Sequence, residues 1–61
     1  MKLKDLISVL NADDTIHITT QDKSLWFGSV RNAFSLSDNM LNYRVVYVST
    51  AFGGLLVEVT F

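Results

Sequence analysis

The strongest constraint on the fold is the strict alternation of side chains near the end of the chain. One side of residues 55–61 is made of four large apolar residues, Leu55, Val57, Val59 and Phe61. A period of two residues is typical of a strand with one buried face. Residues 43–50 are apolar on both faces at their centre, which favours a central position in a sheet. Gly53 and Gly54 favour a tight turn between the two segments, so the sequence predicts a β-hairpin.

The size of the chain leaves little margin for a stable monomer. For 61 residues, apolar burial contributes on the order of 90 kcal/mol. Ordering the chain costs about 90 kcal/mol as well. The sequence contains no cysteine, so disulfides cannot add stability, and 49% of its residues are hydrophobic. We therefore expect self-association, which removes further apolar surface from water.

The earlier part of the chain predicts a helix and a first hairpin. The spacing of Leu3, Leu6, Ile7 and Leu10 predicts one apolar face of a helix of about ten residues. Residues 15–20 alternate and predict a strand with Ile16 and Ile18 inward. A polar turn at residues 21–24 leads to a second strand over residues 25–30. In that strand Gly28 indicates a bulge or a close approach, and the face of Trp26 stays open because its neighbours are apolar too.

Residues 31–42 lack a sustained period and predict a crossover. Ser37, Asp38 and Asn39 could cap a single helical turn that carries Met40 and Leu41. The predicted fold class is α+β, with one N-terminal helix packed on a four-stranded, mostly antiparallel sheet. A short helical turn precedes the last hairpin, and residues 1–61 form a single domain.

Charge and composition restrict the function classes. Five basic and six acidic residues give a net charge of −1, without a basic or acidic tail. No apolar run approaches the roughly 18 residues that span a bilayer, so we expect a cytoplasmic protein without membrane contact. His17 is the single histidine, and no phosphate-binding glycine loop is present. We predict a non-enzymatic protein without a catalytic residue, metal site or cofactor.

The apolar residues of the last hairpin predict an interface. If the two strands pair with matching parity, Val46, Val48 and Leu56 share one face and form an apolar stripe that the helix cannot cover. Phe52 at the tip of the turn is a further exposed candidate, and Trp26 and Tyr47 complete the predicted interface set. Such a surface favours a homo-oligomer and contact with another protein.

Two alternatives remain open. Trp26, Tyr47, Arg31 and Arg44 could form a stacking and cationic platform of an oligomeric single-stranded nucleic-acid-binding protein. Asp13 and Asp14, followed by His17, could form a weak divalent-ion site of a metal-dependent DNA-nicking protein.

Four stretches carry a resemblance to a class of known proteins. Residues 1–6, 15–18, 41–48 and 55–59 together resemble short proteins encoded in phages and mobile elements of Gram-positive bacteria. The resemblance implies a compact helix-and-sheet fold and, for some members, the disabling of host defence components such as CRISPR nucleases. Our leading hypothesis is a small phage-type interaction protein that oligomerises and inhibits a host protein in the host cytoplasm.

Overall fold

The computed structural model describes residues 1–21, 23–51 and 53–61. The helices within these residues are α1 (Leu3–Ile7), α2 (Val30–Ala33) and α3 (Asp38–Leu41). The strands are β1 (Thr15–Thr20), β2 (Lys23–Ser29), β3 (Arg44–Ala51) and β4 (Gly54–Thr60). In this part of the chain the strands form one sheet, with two antiparallel pairings and one parallel pairing. The α+β class, the first helix and the mostly antiparallel sheet are confirmed.

The strand order differs from the expectation for β3. The order is β2-β1-β4-β3, so β3 lies at an edge and the central pair is β1 with β4. β4 pairs in parallel with β1 on one side and antiparallel with β3 on the other, so it lies in the interior of the sheet. The predicted central position of β3 is therefore wrong. The apolar residues of β3 do not indicate burial on both faces, since Val46, Tyr47 and Val48 are all exposed.

The core lies between one face of the sheet and the helices. Its fully buried residues are Leu3, Ile7, Ile16, Ile18, Val30, Ala33, Val57 and Val59. The inward positions predicted for β1 and for the middle of β4 are confirmed. Phe61 was expected on the same apolar side, but it is 80% exposed and contacts the Tyr43 ring edge to face at 4.8 Å.

α1 is shorter than the ten residues that the sequence predicts. After Ile7 the chain tightens, because the N–H groups of Val9 and Leu10 donate to carbonyls three residues earlier. Leu6 and Leu10 still pack against the core, so the predicted apolar face is retained without a regular helix. The side chain of Asn11 then accepts a hydrogen bond from the Asp13 N–H at 3.0 Å and turns the chain toward β1.

The crossover contains one predicted helical turn and one that the sequence analysis missed. α3 was predicted, and its cap is observed: the Ser37 hydroxyl accepts a hydrogen bond from the Met40 N–H at 3.3 Å. α2 replaces the expected end of the second strand. Its first N–H groups, from Val30 and Arg31, donate to carbonyls of the α1–β1 loop. Val30 and Ala33 lie three apart and both are buried, which is the helical spacing that could have predicted it.

Each edge strand contains one extra residue. Between β1 and β2, Ile18 pairs with Trp26 but Thr19 pairs with Ser24, which leaves Leu25 without a partner. Such a β-bulge shifts every later side chain of its strand to the other face relative to an unbulged pairing. The close approach predicted at Gly28 is confirmed, because a Cβ atom there would lie 2.8 Å from Cη2 of Trp26.

The second bulge lies between β3 and β4. Val45 pairs with Val59 and Tyr47 pairs with Glu58, so Val46 is the extra residue. None of the described helices has the length and apolar character that crossing a membrane requires.

Candidate interaction surface on the open sheet face

Within the described residues, all helices lie on one side of the sheet. α1 contributes Leu3 and Ile7 to the core, α2 contributes Val30 and Ala33, and Leu41 of α3 packs against the same cluster. The sheet residues in that cluster share one face. The opposite face, which we call the open face, is not covered by any helix in the part of the chain that the structure describes.

Two rows of side chains cross the open face from edge to edge. The first row runs through all four strands and consists of Phe27, His17, Leu56 and Ser49. The second row consists of Ser24, Thr19, Glu58 and Tyr47. Residues paired across neighbouring strands project to the same side of a sheet, so each row forms a continuous strip.

The two bulges bring the aromatic residues to this face. If the register of Thr19 with Ser24 continued without the bulge, Phe27 would pair with Ile16, on the helix side of the sheet. If the register of Val45 with Val59 continued without the bulge, Tyr47 would pair with Val57, on the helix side of the sheet. Relative to these registers, each bulge turns its aromatic side chain to the open face, and bulges often redirect side chains at functional surfaces.

His17 holds Phe27 in place. The two rings meet edge to face, with centroids 5.6 Å apart and an interplanar angle of 85°. On its other side, Nε2 of His17 shares a 2.7 Å hydrogen bond with the Ser24 hydroxyl. Phe27 is nevertheless 64% exposed and Tyr47 is 60% exposed. The open face thus presents two large aromatic side chains, one of them in contact with the His17 imidazole.

The charge of the open face is balanced. Among the charged residues of the described strands, Glu58 and Arg44 lie on this face, since Arg44 pairs with Thr60 in the β4 ladder. Lys23 pairs with Thr20, whose side chain is buried with the core. Leu56 and His17 are half-buried between the two aromatic edges. A neutral surface with an apolar centre and hydroxyl groups around it is typical of protein–protein contacts.

The apolar stripe predicted from Val46, Val48 and Leu56 does not form. Its members would share a face only in an unbulged register, in which Val48 pairs with Leu56. The bulge moves Val48 opposite Val57, on the helix side of the sheet, and Ser49 takes the place opposite Leu56. Leu56 and Tyr47 do lie on the open face. The predicted position Phe52 lies outside the described residues.

The nucleic-acid set is also divided. Trp26 pairs with Ile18 and packs on the core, away from the open face. Arg31 lies in α2, where its guanidinium forms an ion pair with Asp13 at 2.8 Å. Arg44 and Tyr47 are the members of the set that share the open face.

Asp13 and Asp14 were the candidate ligands of a divalent ion. Asp13 is engaged by Arg31, and both aspartates are exposed. The described residues contain no group of three or more histidine, cysteine, aspartate or glutamate side chains that could hold a metal ion.

Sequence reasoning placed His17 on the outward side of β1 but missed Phe27 as a surface residue. Leu25, Trp26 and Phe27 are all apolar, so alternation alone does not show which of them faces the core and which faces the solvent. Gly28 offered the one usable signal. Residues two apart share a face, and the missing side chain at Gly28 leaves room for the Trp26 indole on the core side.

Comparisons of this chain with protein-family models, with curated proteins and with solved structures gave no match.

Proposed function

We propose that this protein is a small, non-enzymatic interaction protein that self-associates and binds a host protein through the open face. The observation that carries this proposal is the pair of bulges that turns Phe27 and Tyr47 to the solvent. If the register beside the turn of β2 and the register at the start of β3 continued without a bulge, each ring would lie on the helix side of the sheet. Exposing two such rings on one neutral face is costly for a lone domain and useful for a docking surface.

The balance of charge supports a protein partner over other macromolecules. Aromatic anchors surrounded by small polar residues dominate the energetics of protein interfaces. On the open face Phe27 and Tyr47 are such anchors, and Thr19, Ser24 and Ser49 supply hydroxyl groups beside them. The resemblance of the sequence to short phage-encoded proteins supports a host defence component, such as a CRISPR nuclease, as the target that is inhibited.

The test is protection of an incoming plasmid from CRISPR nucleases of Gram-positive bacteria. We expect cells that express the wild-type chain to recover plasmid transformation against at least one nuclease of a panel. Phe27→Ala removes an exposed anchor, and we expect it to reduce the recovered transformation by at least about tenfold. Phe34→Ala is the matched control, because Phe34 is 55% exposed but lies after α2, outside the open face.

Equal loss in the Phe27 and Phe34 variants would show that the open face is not the contact surface. Absence of protection by the wild-type chain across the whole panel would contradict inhibition of these nucleases. Circular dichroism of each variant separates loss of contact from loss of fold.

Arg44 and Tyr47 on the open face favour one second candidate, binding of single-stranded nucleic acid. A ring for stacking beside a guanidinium is the minimal unit of such a site. We expect no saturable binding of a fluorescent oligonucleotide at 150 mM salt, because Glu58 pairs directly with Tyr47 and offsets the charge of Arg44. Tight binding that weakens steeply with salt and is lost in Arg44→Ala would establish the second candidate instead.

A further inference from the structure

The outer edge of β3 is covered along only part of its length. The Leu3 N–H donates to the Tyr43 carbonyl at 2.8 Å, and the Val45 N–H donates to the Met1 carbonyl at 2.8 Å. The first residues of the chain thus cover the start of the strand. Along residues 47–51, no other described strand pairs with this outer edge.

The alternation of an antiparallel ladder identifies the backbone groups on the free edge. Val45 and Val59 exchange no hydrogen bonds, because the Val45 N–H points outward to Met1. The pairs two and four residues farther along β4, Val48 with Val57 and Thr50 with Leu55, likewise exchange no hydrogen bonds. Val48 and Thr50 therefore direct their N–H and C=O groups outward. These groups form a template for one further strand.

The free edge lacks the usual protection against pairing. Natural edge strands carry charged residues, above all lysine, that prevent another strand from adding. Residues 45–57 contain no charged residue. The other edge strand, β2, begins with Lys23. On β3, by contrast, Tyr47 is 60% and Val48 is 41% exposed.

We propose that a second copy of this chain adds to β3 in the antiparallel direction, with the twofold axis at Ser49. The inference rests on the proposed function, since it names the surface through which the chain self-associates. The free stretch, residues 47–51, is centred on Ser49, so this pairing uses its full length. Val48 then exchanges two backbone hydrogen bonds with Thr50 of the second copy, and the symmetry repeats them.

The composition of the edge suits an identical partner. A twofold pairing places each residue opposite a residue of the same segment, so any charge near the axis would meet a like charge. Around Ser49 no such conflict arises, because the segment is uncharged.

The pairing also extends the open face. Ser49 ends the first row of that face, so the row continues across the axis into the second copy. The result is one continuous sheet with a doubled open face, on which a Tyr47 ring lies on each side of the axis. A host protein would meet one symmetrical surface instead of two small ones.

Opposite charges at the axis provide the main test. In sedimentation equilibrium the wild-type chain should form dimers, whereas Ser49→Lys and Ser49→Glu alone should each dimerise at least about tenfold more weakly. An equimolar mixture of the two variants should restore the dimer. Ser35→Lys, at an exposed serine after α2, is the matched control and should dimerise like the wild type. A monomeric wild type, unchanged dimerisation of Ser49→Lys, or failure of the mixture to associate would each overturn the proposal.

A disulfide test reads the register directly. Ser49 bonds inward to β4, so across the axis it forms a non-hydrogen-bonded pair, with Cα atoms about 4.5 Å apart. That separation lies within the range of disulfides. Because the native chain has no cysteine, Ser49→Cys should give a cross-linked dimer under mild oxidation at dilute concentration, and Ser35→Cys should not. Equal cross-linking of the two variants would contradict the Ser49-centred register.

The two proposals can fail separately. If the wild-type chain dimerises and protects plasmids but the Ser49 variants behave like the wild type, the edge assignment is wrong and the open-face function stands. If the Ser49 variants dissociate as expected while the wild type protects no plasmid, the edge assignment stands and the proposed target is wrong.

Discussion

Ile18→Ala is expected to lower the free energy of unfolding by about 2–5 kcal/mol, the largest effect of any single substitution discussed. Ile18 is fully buried at the centre of β1 and lies in register between Trp26 of β2 and Val57 of β4. Removing most of its side chain leaves a cavity at the point where three strands meet. On one side, β4 cannot move toward the cavity without disturbing its ladder with β3.

The size of the domain makes this loss decisive. A 61-residue chain is expected to have a total stability of about 3–9 kcal/mol. In urea titrations followed by circular dichroism, the midpoint of Ile18→Ala should therefore lie far below that of the wild type. The control is Val9→Ala, at a valine that is 76% exposed, and its stability should change by less than about 0.5 kcal/mol. Equal stability of the two variants would mean that Ile18 is not in the core.

Gly54→Ala is expected to destabilise the fold by about 1–3 kcal/mol through overpacking. A Cβ atom at Gly54 would lie 2.6 Å from the Thr15 carbonyl oxygen and 3.0 Å from its Cβ atom. These atoms belong to the backbone and to a stiff β-branched side chain, so β1 and β4 would have to separate where their parallel pairing begins. Lower chain entropy of the unfolded variant recovers only about 0.4–1 kcal/mol.

The matched comparison is Gly28→Ala. Its new Cβ would also be too close to a neighbour, at 2.8 Å, but the neighbour is Cη2 at the far end of the Trp26 indole. A half-buried ring can rotate, whereas the start of a strand cannot move alone. We therefore expect the denaturation midpoint of Gly54→Ala to fall well below that of Gly28→Ala. The reverse order would show that the β1–β4 contact is looser than the structure indicates.

Both predictions concern the central pair of strands, and the proposed functions concern the edges. The central pair carries the fully buried residues of the sheet, Ile16, Ile18, Val57 and Val59. The edge strands carry the bulges and the exposed aromatic rings. Substitutions at Phe27 or Ser49 should accordingly change contacts with other molecules more than they change folding.

Local patterns in the sequence were sufficient for the elements and for most of the core. The period of two in residues 55–61 and in residues 15–20 predicted two strands, and the expected inward residues are correct except for Phe61. The apolar spacing of the first ten residues predicted which side chains of α1 face the sheet. Ser37 predicted the cap of α3, because a serine before a short apolar pair satisfies free backbone N–H groups.

The candidate surface was predicted only in part, and the reason is the parity of the edge strands. Tyr47 and Leu56 belong to the expected interface set and lie on the open face, but Val48 was expected on the wrong face and Phe27 was missed. A single extra residue moves the side chains beyond it to the other face of the sheet. In an apolar run such as Leu25 to Phe27, no local pattern predicts such a residue.

The amino-acid sequence alone determined that this chain forms an α+β domain with two hairpins, because alternation, turn residues and capping act over a few neighbouring positions. Only the tertiary structure decided that β4 lies beside β1, that β3 is an edge, and that Phe27 and Tyr47 face outward. Those outcomes depend on the order of the strands in the sheet and on the positions of the two β-bulges. Both are set by contacts between segments far apart in the chain.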